Sequence, residues 1–276
     1  MLDDLLPLLA CPHCGAPLER SGGSVSCPAG HSFDIARQGY LGLLPGDALT
    51  ASADTAAMVE ARAAFLEAGH FDPLAAALAG TAEDALAGGP DGAVADLGAG
   101  TGWYLAHVLE RLPERRGLAL DLSKHALRRA AHAHPGIGAV ACDAWRRLPL
   151  QTGSVALVLS VFAPRDGAEL ARVLRPGGAL AVVTPTRRHL AELVSALGLL
   201  TVDSRKGERL RVKLDPYLDL ERRIEREWTM QLTRADVASA VAMGPSARHE
   251  QRAAILPDPV AVTASLTLSV YRRAAA

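Results

Sequence analysis

Four side chains near the amino terminus have the types and spacing to hold a metal ion. Two residues separate Cys11 from Cys14, three separate Cys27 from His31, and twelve lie between the pairs. Zinc takes such thiolate and imidazole donors in a tetrahedron, and two close-spaced pairs on two tight turns deliver that geometry. Gly15 follows the first pair, where the knuckle needs a residue free to take positive φ. All four positions are filled by protein, so the predicted site is closed and structural. Metal binding then supplies folding free energy that this short, turn-rich segment cannot draw from an apolar core of its own. His13 has the wrong spacing to replace His31, and Cys142 is expected to be a buried strand thiol.

A second constellation is the run Val94-Ala95-Asp96-Leu97-Gly98-Ala99-Gly100-Thr101-Gly102. Glycines at 98, 100 and 102 let the backbone turn sharply and approach a ligand beside a helix N-terminus. The spacing G-x-G-x-G, with Asp96 two positions ahead, departs from the dinucleotide fingerprint G-x-G-x-x-G. Asp121 ends the next strand 23 residues after Gly98, where a carboxylate can accept both ribose hydroxyls. Asp143 ends the third strand, in position to accept from an adenine amino group. Three successive strands ending this way resemble the class I S-adenosylmethionine-dependent methyltransferases; purely structural roles for the three acids are the alternative. Leu174-Arg175-Pro176-Gly177-Gly178 is similar to the turn before the fifth strand of that class.

Ser160-Val161-Phe162-Ala163-Pro164-Arg165 closes the fourth strand, where that class carries its substrate-facing loop. Phe162 can stack on a flat substrate or belong to the core, and Arg165 can meet a phosphate. His189 follows Thr184-Pro185-Thr186-Arg187-Arg188 and is expected to start a helix at the carboxyl edge of the sheet, where ligands gather in open α/β folds. A ligand contact and a helix cap are both open to it. Arg187 and Arg188, beside the expected pocket, are candidate phosphate contacts.

The elements that must position these residues follow from hydrophobic period. After Gly88-Gly89-Pro90 the chain alternates: strands at Ala93–Leu97, Gly117–Leu122, Ile137–Cys142, Val155–Phe162 and Ala179–Thr184, helices at Trp103–Leu112, Lys124–His134, Ala168–Leu174 and His189–Leu197. That alternation predicts a parallel sheet covered on both faces. Arg234–Met243 is predicted helical and Val260–Tyr271 as one or two strands. Upstream, Asp54 to Ala68 has helical spacing with Asp54 as N-cap and Gly69 as terminator, and a second helix runs from about Pro73 to Leu86. The expected organisation is a zinc-binding module over 1–45, a linker and helical segment over 46–88, and an α/β, Rossmann-like methyltransferase domain over 89–276.

The formal net charge of -1 hides an asymmetry. Residues 1–110 carry 14 acids and three bases (Arg20, Arg37, Arg62); residues 111–276 carry 26 bases and 16 acids. Near-neutrality therefore does not exclude a polyanionic partner. It places the expected footprint on arginines at 111/115/116, 128/129, 146/147, 187/188, 205–213 and 222–226, while the acidic half can dock on the basic half of its own chain or of a second copy. At 276 residues and 49% hydrophobic the chain can bury a full core, and disordered and fibrous classes are excluded. An acidic start, clustered cysteines and no run of about 18 apolar residues fit a cytoplasmic protein without a membrane span.

The zinc pattern is followed by Phe33-Asp34-Ile35-Ala36-Arg37-Gln38-Gly39-Tyr40-Leu41-Gly42-Leu43-Leu44-Pro45, then by Met58, Ala61-Arg62, Phe65-Leu66, Gly69-His70-Phe71 and Pro73-Leu74. With the glycine turn, this resembles the RlmA family of 23S ribosomal RNA guanine-N1 methyltransferases over essentially the whole chain. Val161-Phe162-Ala163-Pro164-Arg165, His189-Leu190-Ala191-Glu192-Leu193 and Ala242-Met243-Gly244-Pro245-Ser246 are closer to its tylosin-resistance subgroup. The resemblance implies Cys11, Cys14, Cys27 and His31 as zinc ligands, and Gly100, Thr101 and His189 as contacts to S-adenosylmethionine. Phe71 stands where relatives can carry tyrosine, keeping the aromatic face without the hydroxyl. The implied substrate is a 23S rRNA hairpin, methylated at N1 of a G748-type guanine or the neighbouring G745, by an enzyme that can be a homodimer. A small-molecule methyltransferase with a zinc appendage and a non-catalytic zinc and RNA-binding protein are the competing readings. The spacing identifies no general base.

Overall fold

The computed structural model describes residues 2–48, 50–201, 203, 206–244, 247 and 256–274. A short helix, α1 (Leu2–Leu5), leads into a three-stranded antiparallel ribbon of β1 (Glu19–Ser21), β2 (Ser24–Ser26) and β3 (Ser32–Asp34). The next strand, β4 (Tyr40–Gly42), leaves the ribbon and pairs in parallel with the far edge of the main sheet. Leu5, Leu9, Leu18, Val25, Phe33, Leu41 and Leu43 bury against Leu118, Leu120, Val140, Leu148 and Leu150 of the large domain. Each leucine so buried contributes about 1.5–3 kcal/mol, so the amino-terminal module borrows the core it lacks.

Two helices follow, α2 (Ala56–Glu67) and α3 (Asp72–Leu86). Thr55 rather than Asp54 caps α2, its hydroxyl accepting from Met58 N at 3.3 Å. Asp54 instead pairs with Arg62, about two helical turns further on. Gly69, at φ +79°, ends α2 as expected.

The large domain runs β5 (Ala93–Leu97), α4 (Trp103–Arg111), β6 (Gly117–Asp121), α5 (Lys124–Ala133), β7 (Ile137–Ala141), β8 (Val155–Val161), α6 (Gly167–Val173), β9 (Leu174–Pro185), α7 (Ala191–Leu197), α8 (Lys206–Leu214), β10 (Asp219–Leu232), α9 (Arg234–Ala242) and β11 (Val260–Arg272). The eight-stranded sheet has the order β10-β11-β9-β8-β5-β6-β7-β4. Its six strands from β9 to β4 are parallel, and β11 and β10 add antiparallel to that edge. The sheet is thus mixed, not the wholly parallel one that strand–helix alternation predicts. The strand order reverses beside β5, where β6 lies on one side and β8 on the other. Ligands bind at the carboxyl ends of strands at such a reversal.

Val260–Arg272 is one strand, while β10 and α8 are elements the hydrophobic pattern did not predict. His189 does not begin α7: it sits in the preceding turn, where its N–H donates to Thr186 O at 3.2 Å, and the helix starts after Leu190 at φ +55°. Arg205, Pro245 and Ser246, which the sequence singled out, lie outside the described residues. Among the described residues, no helix is long and apolar enough to cross a membrane.

Candidate functional site

The metal-ligating atoms of Cys11, Cys14, Cys27 and His31 all lie within 4.8 Å of one another. The separations are 3.7 Å for Cys14 Sγ to Cys27 Sγ, and 3.5 and 3.3 Å from His31 Nδ1 to the sulfurs of Cys11 and Cys27. A zinc tetrahedron with bonds of about 2.3 Å to sulfur and 2.0–2.1 Å to nitrogen has edges of roughly 3.8 Å (S–S) and 3.6 Å (S–N). The four groups therefore stand nearly at the corners of a zinc site. Two turns hold them: Gly15 N donates to Cys11 O at 2.8 Å, and Gly30 N to Cys27 O at 2.9 Å, with both glycines at positive φ. His13 lies outside the cluster, its ring stacked 5.9 Å from that of Phe33.

At the sheet's reversal point the turn after β5 has Gly98, Gly100 and Gly102 at φ +71°, +56° and +77°. A Cβ on Gly98 would fall 2.7 Å from Ala163 Cβ, so the turn is folded against the loop after β8 as tightly as a bare backbone allows. Its N–H groups are largely committed. Gly98 and Ala99 donate to Leu120 O, Gly102 to Ala99 O, and Gly100 to Asp121 Oδ2 at 2.8 Å. Asp121 Oδ1 accepts from Ser123 N at 2.8 Å, so this carboxylate braces the turns after β5 and β6. Burial raises its pKa. Two bonds leave lone pairs on an ionised carboxylate, and Asp121 can still accept from ribose hydroxyls. Asp143 is similarly placed after β7, with Oδ1 accepting from Trp145 N at 2.9 Å.

Asp96 is the exception to this pairing. It is 1% exposed, and neither carboxylate oxygen has a hydrogen-bond partner. Burial, reinforced by the Asp121 charge, pushes its pKa up to about 8. Unpartnered buried acceptors are costly, and here they sit under a glycine cradle. Above the cradle lies Arg62, whose Nη1 would be 3.3 Å from a Cβ on Gly100. Arg62 also pairs with Asp54 and donates to Met243 O at 3.0 Å. The sequence placed Arg62 in a helix and among the residues that carry the family resemblance, but no spacing gave it a role at the site.

Four rings meet beside this cradle. Phe71, 3% exposed, lies 6.1 Å from His189, 6.4 Å from Phe162 and 6.0 Å from Trp228, the last edge-on at 78°. Phe162 and His189 stack at 6.0 Å and 21°. Phe162 is not core: it is 40% exposed and holds φ +57°, a strained value for a bulky side chain and one that clusters at functional sites. His189 Nδ1 accepts from Ser265 N at 3.3 Å, so its proton resides on Nε2. Trp228 comes from β10, which the sequence did not reveal.

The arginines divide. Arg187 and Arg188 are exposed at the rim, Arg188 paired with Glu227 at 3.0 Å. Arg165 is 9% exposed, donates inward to Ala163 O, and has its pKa lowered by burial to about 10. It is an internal cation and does not reach a surface phosphate.

A zinc ribbon model described as "RlmA, N-terminal" matches residues 9–48, and a methyltransferase domain model matches 94–178. The chain is 47% identical over 278 residues to the 23S rRNA (guanine(748)-N(1))-methyltransferase of Streptomyces fradiae, covering 99% of both. It belongs to the RlmA family. A Micromonospora griseorubida protein provisionally named 23S rRNA (guanine-N(1)-)-methyltransferase is 50% identical over 295 residues and 99% of both chains. A Bacillus subtilis (strain 168) protein provisionally given the same activity is 31% identical over 67% of both. For this RlmA-family chain the glycine cradle could hold S-adenosylmethionine: the orphaned Asp96 carboxylate suits an ammonium, and a Cβ on Gly100 would crowd the Arg62 guanidinium at 3.3 Å.

Proposed function

We propose that the protein transfers a methyl group from S-adenosylmethionine to N1 of a guanine in a 23S rRNA hairpin, the G748-type position, with tylosin-type macrolide resistance as a consequence. The observation that carries this reading is a donor cradle and a Cys3His zinc ribbon in one chain that aligns end to end with guanine-N1 methyltransferases. When bound, S-adenosylmethionine supplies an electrophilic methyl on its sulfonium: the N1–CH3 bond forms as the S–CH3 bond breaks, and the N1 proton is released to solvent.

Each residue then has a task. Gly98, Gly100, Thr101 and Gly102 shape the cradle, and Asp96 answers the donor's ammonium. Arg62 and the Nε2–H of His189 answer its carboxylate. Asp121 receives the ribose hydroxyls and Asp143 the adenine amino group. Phe71 walls the pocket, and Phe162, exposed and stacked parallel to His189, offers its face to the extruded guanine. Extruding a paired base costs a few kcal/mol, which stacking on an aromatic ring offsets by about 1–3 kcal/mol. Alignment of N1 with the methyl carries much of the remaining catalysis. Arg187 and Arg188 hold phosphates at the rim. The division into a zinc module over 1–45, a connecting segment over 46–88 and a catalytic domain over 89–276, homodimerisation and a cytoplasmic location belong to the same reading.

The test is transfer of labelled methyl from S-adenosylmethionine to a 23S rRNA transcript, compared with a fraction of small metabolites. Label in RNA is the expected result. Label confined to the metabolite fraction would establish the small-molecule reading instead.

A further inference from the structure

A tryptophan outside the ring cluster has no place in the chemistry above. Trp145 is 69% exposed, although its backbone is fixed by Asp143, whose Oδ1 accepts from Trp145 N at 2.9 Å and whose carbonyl accepts from Arg146 N at 3.1 Å. Lys213 Nζ lies 5.4 Å from the centre of its ring. Lys213 is on α8, where Leu210 and Leu214 turn into the core while Arg209, Val212 and Lys213 share the opposite face. Val212 is 71% exposed and Tyr217, just beyond the helix, 51%.

We infer that Trp145 and the outer face of α8 form a stacking platform for an unpaired base of the substrate RNA, outside the pocket for the target guanine. This deepens the RNA-methyltransferase reading and rests on it. The platform combines what single-stranded nucleic acid requires, an exposed aromatic face for the base and the Lys213 ammonium beside it for the backbone, while Arg209 is paired with Asp203. It also adjoins both the zinc knuckle and the segment after the Phe162 loop. Two residues on from Trp145, the Arg147 guanidinium lies 3.7 Å from a Cβ position on Gly15 of the zinc knuckle. On the other side, Gly167 packs so closely under the Lys213 carbonyl that no side chain fits between them. Gly167 begins α6, directly after the loop that carries Phe162. The Trp145 segment thus reaches the zinc knuckle through Arg147, and α8 packs on the start of α6, five residues after Phe162. A second copy of the chain fits the patch less well. Three exposed apolar side chains with basic neighbours fall short of the roughly 800 Å² per partner that a stable protein interface buries.

The test uses the full-length protein and a transcript of the 23S rRNA hairpin that carries the target guanine. Trp145→Ala is expected to weaken binding of this RNA about 5- to 150-fold, the loss of one stacked base. Trp145→Phe keeps a ring and is expected to stay within about threefold of wild type, and the KM for S-adenosylmethionine is unchanged in both. RNA affinity of Trp145→Ala within twofold of wild type would overturn the platform, and so would a change in sedimentation showing that the substitution separates two protein copies. Wild-type protein that neither binds nor methylates the transcript would instead defeat the RNA reading, and the platform with it.

Discussion

Asp96 and Arg62 both lie at the glycine turn, and the donor contact proposed for each makes a separate prediction. Asp96 has its pKa raised from 3.8 to about 8 by burial and by Asp121. Between those values the folded protein binds a proton that the unfolded chain has released, so stability falls as pH rises through that window. Asp96→Asn removes the titration; in donor-free protein, its melting temperature should decline less than wild type between pH 5 and 8. Parallel curves for the two proteins would show that Asp96 is already ionised and paired. Arg62 brings positive charge to a turn whose N–H groups are mostly spent on Leu120, Ala99 and Asp121. A charge-assisted hydrogen bond is worth about 1.5–3 kcal/mol. Arg62→Ala should therefore raise the Kd for S-adenosylmethionine roughly 10- to 150-fold. An unchanged Kd in calorimetry would leave Arg62 as a strut between Asp54 and Met243. Asp96, Asp121 and Asp143 were legible from the sequence because a glycine turn and strand ends fix where they fall. Arg62 and Trp228 were not, because what brings them to the pocket is tertiary packing of α2 and β10.

At the scale of elements, the turn between β5 and α4 is the feature least tolerant of change. Gly98→Ala would drive a methyl to 2.7 Å from Ala163 at φ +71°, displacing the loop that carries Phe162. Loss of measurable donor binding is expected, by equilibrium dialysis, with the protein still folded by circular dichroism. Retained binding would mean that the loop moves without cost. The parallel strands were legible because buried strands are continuous apolar runs: all five residues of β5 are buried. The antiparallel edge was not. β10 reads Asp-Leu-Glu-Arg-Arg-Ile-Glu-Arg-Glu-Trp from 219 to 228, and its exposed face is crowded with charge. Such charges protect an edge strand from pairing with other chains, and they also mask its period. The zinc ligands were legible from spacing alone, whereas the fate of β4 was not: three residues cannot announce that they will join a sheet ninety-odd residues away. Removing zinc with a strong chelator should loosen the ribbon, exposing Cys11 and Cys27 to thiol reagents, while the shared leucine core keeps β4 on the sheet. Unchanged thiol reactivity would contradict a metal-dependent ribbon.

For the whole molecule, the opposed charges of the two halves meet largely at home. Asp47, Glu60, Glu83, Asp84 and Asp91 of the acidic half pair with Arg146, Arg129, Arg111, Arg222 and Arg115 of the basic half. Exposed pairs of this kind contribute about 0–1 kcal/mol each, so their main effect is on the field. They withdraw several of the arginine clusters from any RNA footprint. Arg188, Arg209 and Arg211 have acidic partners too, Glu227, Asp203 and Asp215, so the rim and α8 offer phosphate chiefly Arg187 and Lys213. Replacing Arg187 and Arg188 together by Ala should flatten the salt dependence of RNA binding by roughly one to two units of slope; an unaltered slope would take them out of the footprint. N1 lies on the pairing edge of guanine, where a methyl group blocks reverse transcriptase. Primer extension on 23S rRNA incubated with the protein and S-adenosylmethionine should therefore stop at the G748-type guanine, and a transcript that reads through that hairpin without a new stop would contradict the account.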